Sequence, residues 1–185
     1  PLYFEHNGYG YSEKWVKMSK ASMKSILPRF NAQRMVMDYV QHYYLRANRH
    51  CKALAENNGA PARELARWKK KIAAAWPKVR IRRLAEAPQE IESGDILPLR
   101  VAAHLGELDA ADVVMECLVG TESESGEFTL RDRFSLTAAD RVGEEAVFHL
   151  DLKPTLPGLQ YYKLRMYPYH KLLCNPFETG CMIWL

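Results

Sequence analysis

No stretch of this chain approaches the ~20 consecutive apolar residues that a helical membrane span requires, and no basic-apolar-small leader opens it. The chain starts at Pro1, where an initiator methionine would be expected, so a piece cut from a longer chain is the simplest expectation. Cysteine is sparse. Cys51, Cys117, Cys174 and Cys181 are 66, 57 and 7 residues apart, and none forms a C-x-x-C pair, which removes the zinc-ribbon and dithiol-redox motifs. Two disulfides would be arithmetically available, but a chain of this size can bury a core without them. Reduced thiols and a cytoplasmic home are therefore expected, and the absence of any Asn-x-Ser/Thr acceptor agrees. Internal repeats and low-complexity tracts are also missing.

What is present is the mixture of a folded domain: 48% hydrophobic and 26% charged residues in 185. The net charge of +4 conceals an asymmetry. Residues 1–90 hold 18 Lys+Arg against 7 Asp+Glu, and residues 91–185 hold 8 against 15. Opposite charges on the two halves suggest two structural units. They do not by themselves make a nucleic-acid binder.

The first half reads as helical. Ser12 is placed to cap a helix in which Trp15, Met18, Ser22 and Ile26 recur at three- or four-residue spacing. Pro28 should stop it, because proline disfavours helix at the residue before it. Asn31 then caps a second helix with Met35, Val36, Tyr39, Val40 and Tyr43 as one stripe. Asn57-Asn58-Gly59 breaks the pattern, and Pro61 suits the first turn of a third helix. That helix buries Leu65, Trp68, Ile72 and Ala75 and ends at Pro77.

The second half changes period. Residues 97–105, 113–120, 128–136, 146–152 and 160–167 alternate near a period of two and are separated by Gly, Pro, Asp and Glu. Residues 79–84 and 181–185 add a first and a last strand. Seven strands in about a hundred residues fit an immunoglobulin-like antiparallel sandwich. Tyr162 follows Pro157-Gly158 and opens a strand. It is either a corner tyrosine bonded to upstream backbone or an ordinary cross-strand tyrosine.

A family resemblance adds to this. Pro1-Leu2-Tyr3-Phe4, Trp15-Val16-Lys17-Met18, Lys20-Ala21-Ser22-Met23-Lys24, Pro28-Arg29-Phe30-Asn31, Arg34-Met35-Val36, Asp38-Tyr39-Val40 and Tyr43-Tyr44 occur in one order. Leu65-Ala66-Arg67-Trp68-Lys69, Trp76-Pro77-Lys78-Val79, Gly94-Asp95, Leu105-Gly106-Glu107-Leu108 and Asp112-Val113 continue it. As a set they resemble the end of the bacterial and archaeal branch of the α-glucan (glycogen/starch) phosphorylases, over nearly the whole chain. Two segments depart from that pattern. Asn7-Gly8-Tyr9-Gly10-Tyr11 replaces an Asp-Gly-x-Pro type of turn, and Tyr44-Leu45-Arg46 lacks a proline after the tyrosine.

The resemblance implies an α+β chain. Residues 1–77 would be a helical segment ending a catalytic lobe, and residues 78–185 a C-terminal immunoglobulin-like β-sandwich. It implies a parent glycosyltransferase that cleaves α-1,4-glucan with inorganic phosphate to glucose 1-phosphate, using pyridoxal phosphate held by a lysine Schiff base. The Gly- and Ser-rich motif with that lysine would lie upstream of Pro1, so no catalytic, cofactor-binding or metal residue is assigned here. The implied partners are the upstream catalytic lobes, with α-glucan and a second copy of the chain as further candidates. Nucleic acid and membrane are not expected.

Lys69, Lys70 and Lys71 form a run opposite the Leu65/Trp68/Ile72 stripe and read as a solvated face, whereas a Schiff base needs a desolvated or activated amine. Gly8 and Gly10 only hint at a phosphate loop. Glu122, Glu124 and Glu127 read as a polar hairpin loop and not as the opposed carboxylates of a glycosidase. Asp109 and Asp112 suggest a turn without a third ligand for calcium. His42, His50-Cys51, His104, His149 and His170 lack ligand spacing. Tyr161, Tyr167, Tyr169 and Trp184 are candidates for a sugar-stacking surface. Against that, Tyr162, Leu164 and Met166 point inward, Tyr161, Lys163, Arg165 and Tyr167 outward, and Trp184 merely closes the last strand. Trp15, Trp68 and Trp76 read as helix anchors. Arg80, Arg82 and Arg83, with Lys78 before them, are expected to contact the acidic half or the missing lobes.

Overall fold

The computed structural model describes all residues except 1, 87, 89, 93, 143, 144 and 155–157. Two compact units form, Pro1–Ala53 and Leu54–Leu185.

The first unit is helical for the reasons legible in its caps. Ser12 accepts from the Trp15 N–H and opens α1 (Glu13–Ile26), and its own hydroxyl donates to the Leu2 carbonyl at 2.6 Å. Asn31 accepts from the Arg34 N–H at 2.8 Å and opens α2 (Ala32–Tyr39). The departure at Asn7–Tyr11 makes a self-contained turn. The Asn7 carboxamide oxygen takes the N–H groups of Tyr9 and Tyr11, and Gly10 sits at φ 81°. The absence of proline after Tyr44 also has a consequence. With nothing to stop the backbone, the helix continues through one wide π turn (Val40–Tyr44) into α3 (Leu45–Ala75).

α3 is not one straight rod. Glu56 to Gly59 leave helical geometry, with Asn57, Asn58 and Gly59 all at positive φ, and Asn and Gly are the residues that tolerate this region best. The helix restarts with Pro61 in its first turn, as expected. Its later turns bury Leu65, Trp68, Ile72 and Ala75 in the core of the second unit.

Beyond a short 3-10 turn (Trp76–Lys78), eight strands follow among the described residues: β1 (Arg80–Arg83), β2 (Leu97–His104), β3 (Val113–Glu122), β4 (Phe128–Ser135), β5 (Thr137–Val142), β6 (Glu145–Leu152), β7 (Tyr161–Pro168) and β8 (Ile183–Trp184). They make two antiparallel sheets, ordered β1-β2-β6-β5 and β4-β3-β7-β8. The chain is therefore α+β. Leu99, Val101, Ala103 and Phe148 of one sheet and Met115, Cys117, Leu164 and Met166 of the other belong to a single apolar cluster with the last turns of α3.

β5 is the strand that periodicity did not find. Thr137-Ala138-Ala139-Asp140-Arg141-Val142 carries no apolar alternation. It is a strand because β6 supplies an edge to pair with, and its register shifts between Ala138 and Arg141. Gly120 has an equally local cause. The β3–β4 register shifts between Val119 and Gly120, and a Cβ at 120 would lie 2.2 Å from the Thr129 carbonyl oxygen.

Candidate functional site

Two polar hubs and one face of rings organise the second unit. The first hub is Asp112, at the end of a 3-10 turn (Ala110–Asp112) that precedes β3. Its carboxylate accepts from Trp68 Nε1 at 2.8 Å, Lys71 Nζ at 2.7 Å and the Asp109 N–H at 2.9 Å. Burial pushes this carboxyl up, but the Lys71, Asp109 and Trp68 donors together outweigh that and hold it below the usual carboxylate range. Lys71 is raised in turn, chiefly by its bond to Asp112. Asp109 and Asp112 thus form a turn, as their spacing suggested, and the turn clamps α3 to the sheet.

Lys71 is correspondingly not a freely solvated lysine. It ion-pairs with both aspartates, and Lys69 pairs with Glu178 at 2.6 Å, so within the run only Lys70 fits the expectation of a purely solvated face. The expectation failed because the C-terminal loop and the Asp109 turn are remote in sequence. On the other side of Trp68, the His170 ring lies 5.1 Å away. His170 Nδ1 accepts from the Leu172 N–H while Nε2 faces Glu64 at 3.4 Å.

The second hub lies on the outer face of the β4-β3-β7-β8 sheet. Glu116 Oε2 accepts from Arg165 Nε at 2.9 Å and Nη2 at 2.7 Å, and Oε1 accepts from the Tyr167 hydroxyl at 2.7 Å. Arg133 stands 3.9 Å from the same carboxylate. The Arg165 guanidinium is covered by Phe177 at 4.9 Å, Tyr167 at 5.5 Å and Trp184 at 5.6 Å from the ring centroids. Burial and the Glu116 bond push the Tyr167 phenol up to about 12.

This arrangement corrects part of the strand reading. Leu164 and Met166 point inward as expected, and Tyr162 packs against the same core under the Arg83 guanidinium. Arg165 and Tyr167 do point outward, yet both are buried, because the segment from Phe177 to Trp184 closes over them. Tyr167 is thereby removed from the stacking candidates, whereas Tyr161, Tyr169 and Trp184 remain exposed. The upstream backbone that a corner tyrosine at 162 would reach includes residues 155–157, outside the described ones.

The remaining candidates stay apart. Arg82 pairs with Glu145 of the acidic half, as proposed for that stripe. Trp68 is a buried anchor, Trp76 is half-buried on the core, and Trp15 meets Tyr3 edge-on in the first unit. Cys51, Cys117 and Cys181 are free thiols, and burial pushes Cys117 up to about 12. His149 Nδ1 is buried with no hydrogen-bond partner among the described residues. Among the described residues no three His, Cys, Asp or Glu side chains gather as a metal ion requires.

Among the described residues, neither Lys71 nor the Asn7–Tyr11 turn fits pyridoxal phosphate. Lys71 is kept an ammonium by two carboxylates, the opposite of an activated amine, and the Asn7 side chain already occupies N–H groups of the only glycine turn that hinted at a phosphate cradle.

Fold and hubs together define a helix-clasped, two-sheet β domain, preceded by a helical unit, in which most charged clusters serve internal cohesion. Residues 76–185 match the family described as glycogen phosphorylase C-terminal domain, and the chain belongs to that family. It is similar to the maltodextrin phosphorylase of Thermococcus litoralis, 30% identical over all of this chain and 21% of that protein. It is also similar to the glycogen phosphorylase of Mycobacterium tuberculosis, 29% identical over 97% of this chain and 21% of that protein. A shorter match, 43% over 44 residues, joins it to the glycogen phosphorylase of Aquifex aeolicus. The chain thus spans about a fifth of the length of the relatives it matches and corresponds to their C-terminal portion. No helix among the described residues is long and apolar enough to cross a membrane.

Proposed function

We propose that this chain is the C-terminal part of a cytoplasmic α-glucan phosphorylase. The parent would carry out phosphorolysis of α-1,4-glucan with pyridoxal phosphate bound upstream. Residues 1–77 end its catalytic lobe, residues 78–185 form an immunoglobulin-like sandwich, and the chain itself braces the lobe without supplying a catalytic residue. The two strand orders support the sandwich reading, since labelling β1 to β8 as A, B, C, C′, D, E, F and G gives A-B-E-D and C′-C-F-G.

One observation carries the bracing role. α1 and α2 bury no residue of their own, and Met18, Met23, Ile26, Met35, Val36 and Tyr39 stay exposed on amphipathic faces. Short amphipathic helices draw their stability from a partner for such a face, and a catalytic lobe is the partner the family supplies. Adding this chain in trans to a parent truncated just before it should restore glucose 1-phosphate release from glycogen. Val36→Asp combined with Tyr39→Asp should abolish the rescue. Absence of rescue, or rescue indifferent to those changes, overturns the bracing role.

A second reading, that the β domain holds α-glucan for the enzyme, is favoured by the exposed, immobilised rings on its outer sheet face. Its test is competed co-sedimentation of the chain with glycogen. Pelleting abolished by maltoheptaose supports it, and the absence of pelleting removes it.

A further inference from the structure

We propose that the outer face of the β4-β3-β7-β8 sheet is an extended glucan-binding track, with Trp184 and Phe177 at one end and Tyr161 at the other. The proposal rests on the second reading above and assigns its site.

Three features of the face carry it. The first is ring immobilisation. Trp184 is 51% exposed and Phe177 39% exposed, yet each contacts the Arg165 guanidinium from its hidden side, and Arg165 is itself fixed by two bonds to buried Glu116. A ring whose rotamer is already held gives up little entropy when a flat ligand stacks on it. Solvent-facing rings of this kind suit the apolar face of a pyranose.

The second feature is alignment. Leu164 and Met166 are fully buried, so alternation along β7 puts Tyr161, Lys163 and Arg165 on the opposite face, and β8 lays Trp184 beside Arg165. Tyr161 is 38% exposed and lies four residues from Arg165, a separation of ~13 Å along a strand at ~3.3 Å per residue. Rings this far apart on one line suit a chain of several sugar units and exceed the reach of a single one.

The third feature is the polar rim. Between and beside the rings stand Lys163, exposed with its ammonium 4.6 Å from the Phe128 centroid, and Arg133, half-exposed beside Glu116. Both offer N–H donors to the hydroxyl rim of a sugar whose face is stacked. Rings alternating with cations would also suit single-stranded nucleic acid. However, the β3–β4 hairpin of the same sheet carries Glu122, Glu124 and Glu127, and residues 54–185 hold 17 Lys+Arg against 19 Asp+Glu, which disfavours a polyanion.

Titration of the intact chain with maltose, maltotetraose and maltoheptaose, followed by calorimetry, tests the track. Affinity should rise with chain length. Trp184→Ala should weaken maltoheptaose by about tenfold or more, the size of one lost central anchor. Tyr161→Ala, a change at an exposed ring outside the core cluster, should weaken maltoheptaose several-fold and leave maltose unchanged. Trp15→Ala, on the first unit, should change nothing. Glycogen and maltoheptaose binding that persists unchanged in both the Trp184 and Tyr161 variants overturns the track while leaving glucan holding by another surface. No binding by the unaltered chain overturns both, and displacement of maltoheptaose by a single-stranded oligonucleotide overturns the sugar assignment of the face.

Discussion

Replacing Glu116 by leucine should destabilise the β domain more than replacing its partner Arg165 by methionine. The asymmetry follows from what each change strands. The two side chains are 6% and 10% exposed, and removing one member of a buried pair typically costs ~3–5 kcal/mol, because the other charge is left uncompensated. Glu116→Leu leaves the Arg165 guanidinium without a carboxylate and the Tyr167 hydroxyl without an acceptor, the latter worth about 1 kcal/mol or more. The rings of Phe177, Tyr167 and Trp184 offset part of this, at ~0.5–1 kcal/mol each for a cation over a ring. A net loss of about 3 kcal/mol is expected for Glu116→Leu. Arg165→Met leaves Glu116 its Tyr167 donor and the half-exposed Arg133 at 3.9 Å, so about 2 kcal/mol is expected. The double variant puts two apolar groups where two charges stood and should cost only about 1 kcal/mol, well under the sum. Urea unfolding followed by tryptophan fluorescence in a Trp15→Phe background restricts the signal to Trp68, Trp76 and Trp184, all in the second unit. A double variant as costly as its two singles added together, or a Glu116→Leu loss below about 1 kcal/mol, would refute the account.

Three other outcomes follow from the same structure. Ile72→Ala, at a position 1% exposed in the apolar cluster shared with both sheets, should cost about 3 kcal/mol in the same assay and leave the helical unit's circular dichroism contribution intact. Gly120→Ala must move the Thr129 backbone, so it should cost roughly 1–3 kcal/mol even though alanine is otherwise the mildest change. The Asp112 carboxyl is depressed in the folded state. Its contribution is therefore complete above its unfolded value, near pH 4, and is lost as pH falls through the lower folded value. Asp112→Asn should accordingly lose less stability than the unaltered chain as pH falls below 4, and equal pH slopes for the two there would contradict this.

Much of this fold was written locally. Ser12 and Asn31 cap helices because a short side-chain oxygen can reach an orphan N–H three residues on, a relation that needs no tertiary partner. Asn57-Asn58-Gly59 broke α3 because those residues accept positive φ, and alternating apolar residues marked seven of the eight strands. Family membership was legible for the same reason, since ordered short matches survive without any knowledge of contacts. β5 was not legible, because its strand character comes from the edge β6 presents and not from its own residues. The polar hubs were hidden more deeply. Trp68 and Lys71 meet Asp112 across 44 and 41 residues, and Glu116 meets Arg165 across 49. Whether an outward tyrosine is a bare ring or a buried donor depends on what folds over it. Alternation placed Tyr161 and Tyr167 on the same face, but only the closing of Phe177 and Trp184 onto Arg165 buried one and left the other in solvent. Periodicity fixes the direction in which a side chain leaves its strand, while its environment is set by chain segments that periodicity cannot see.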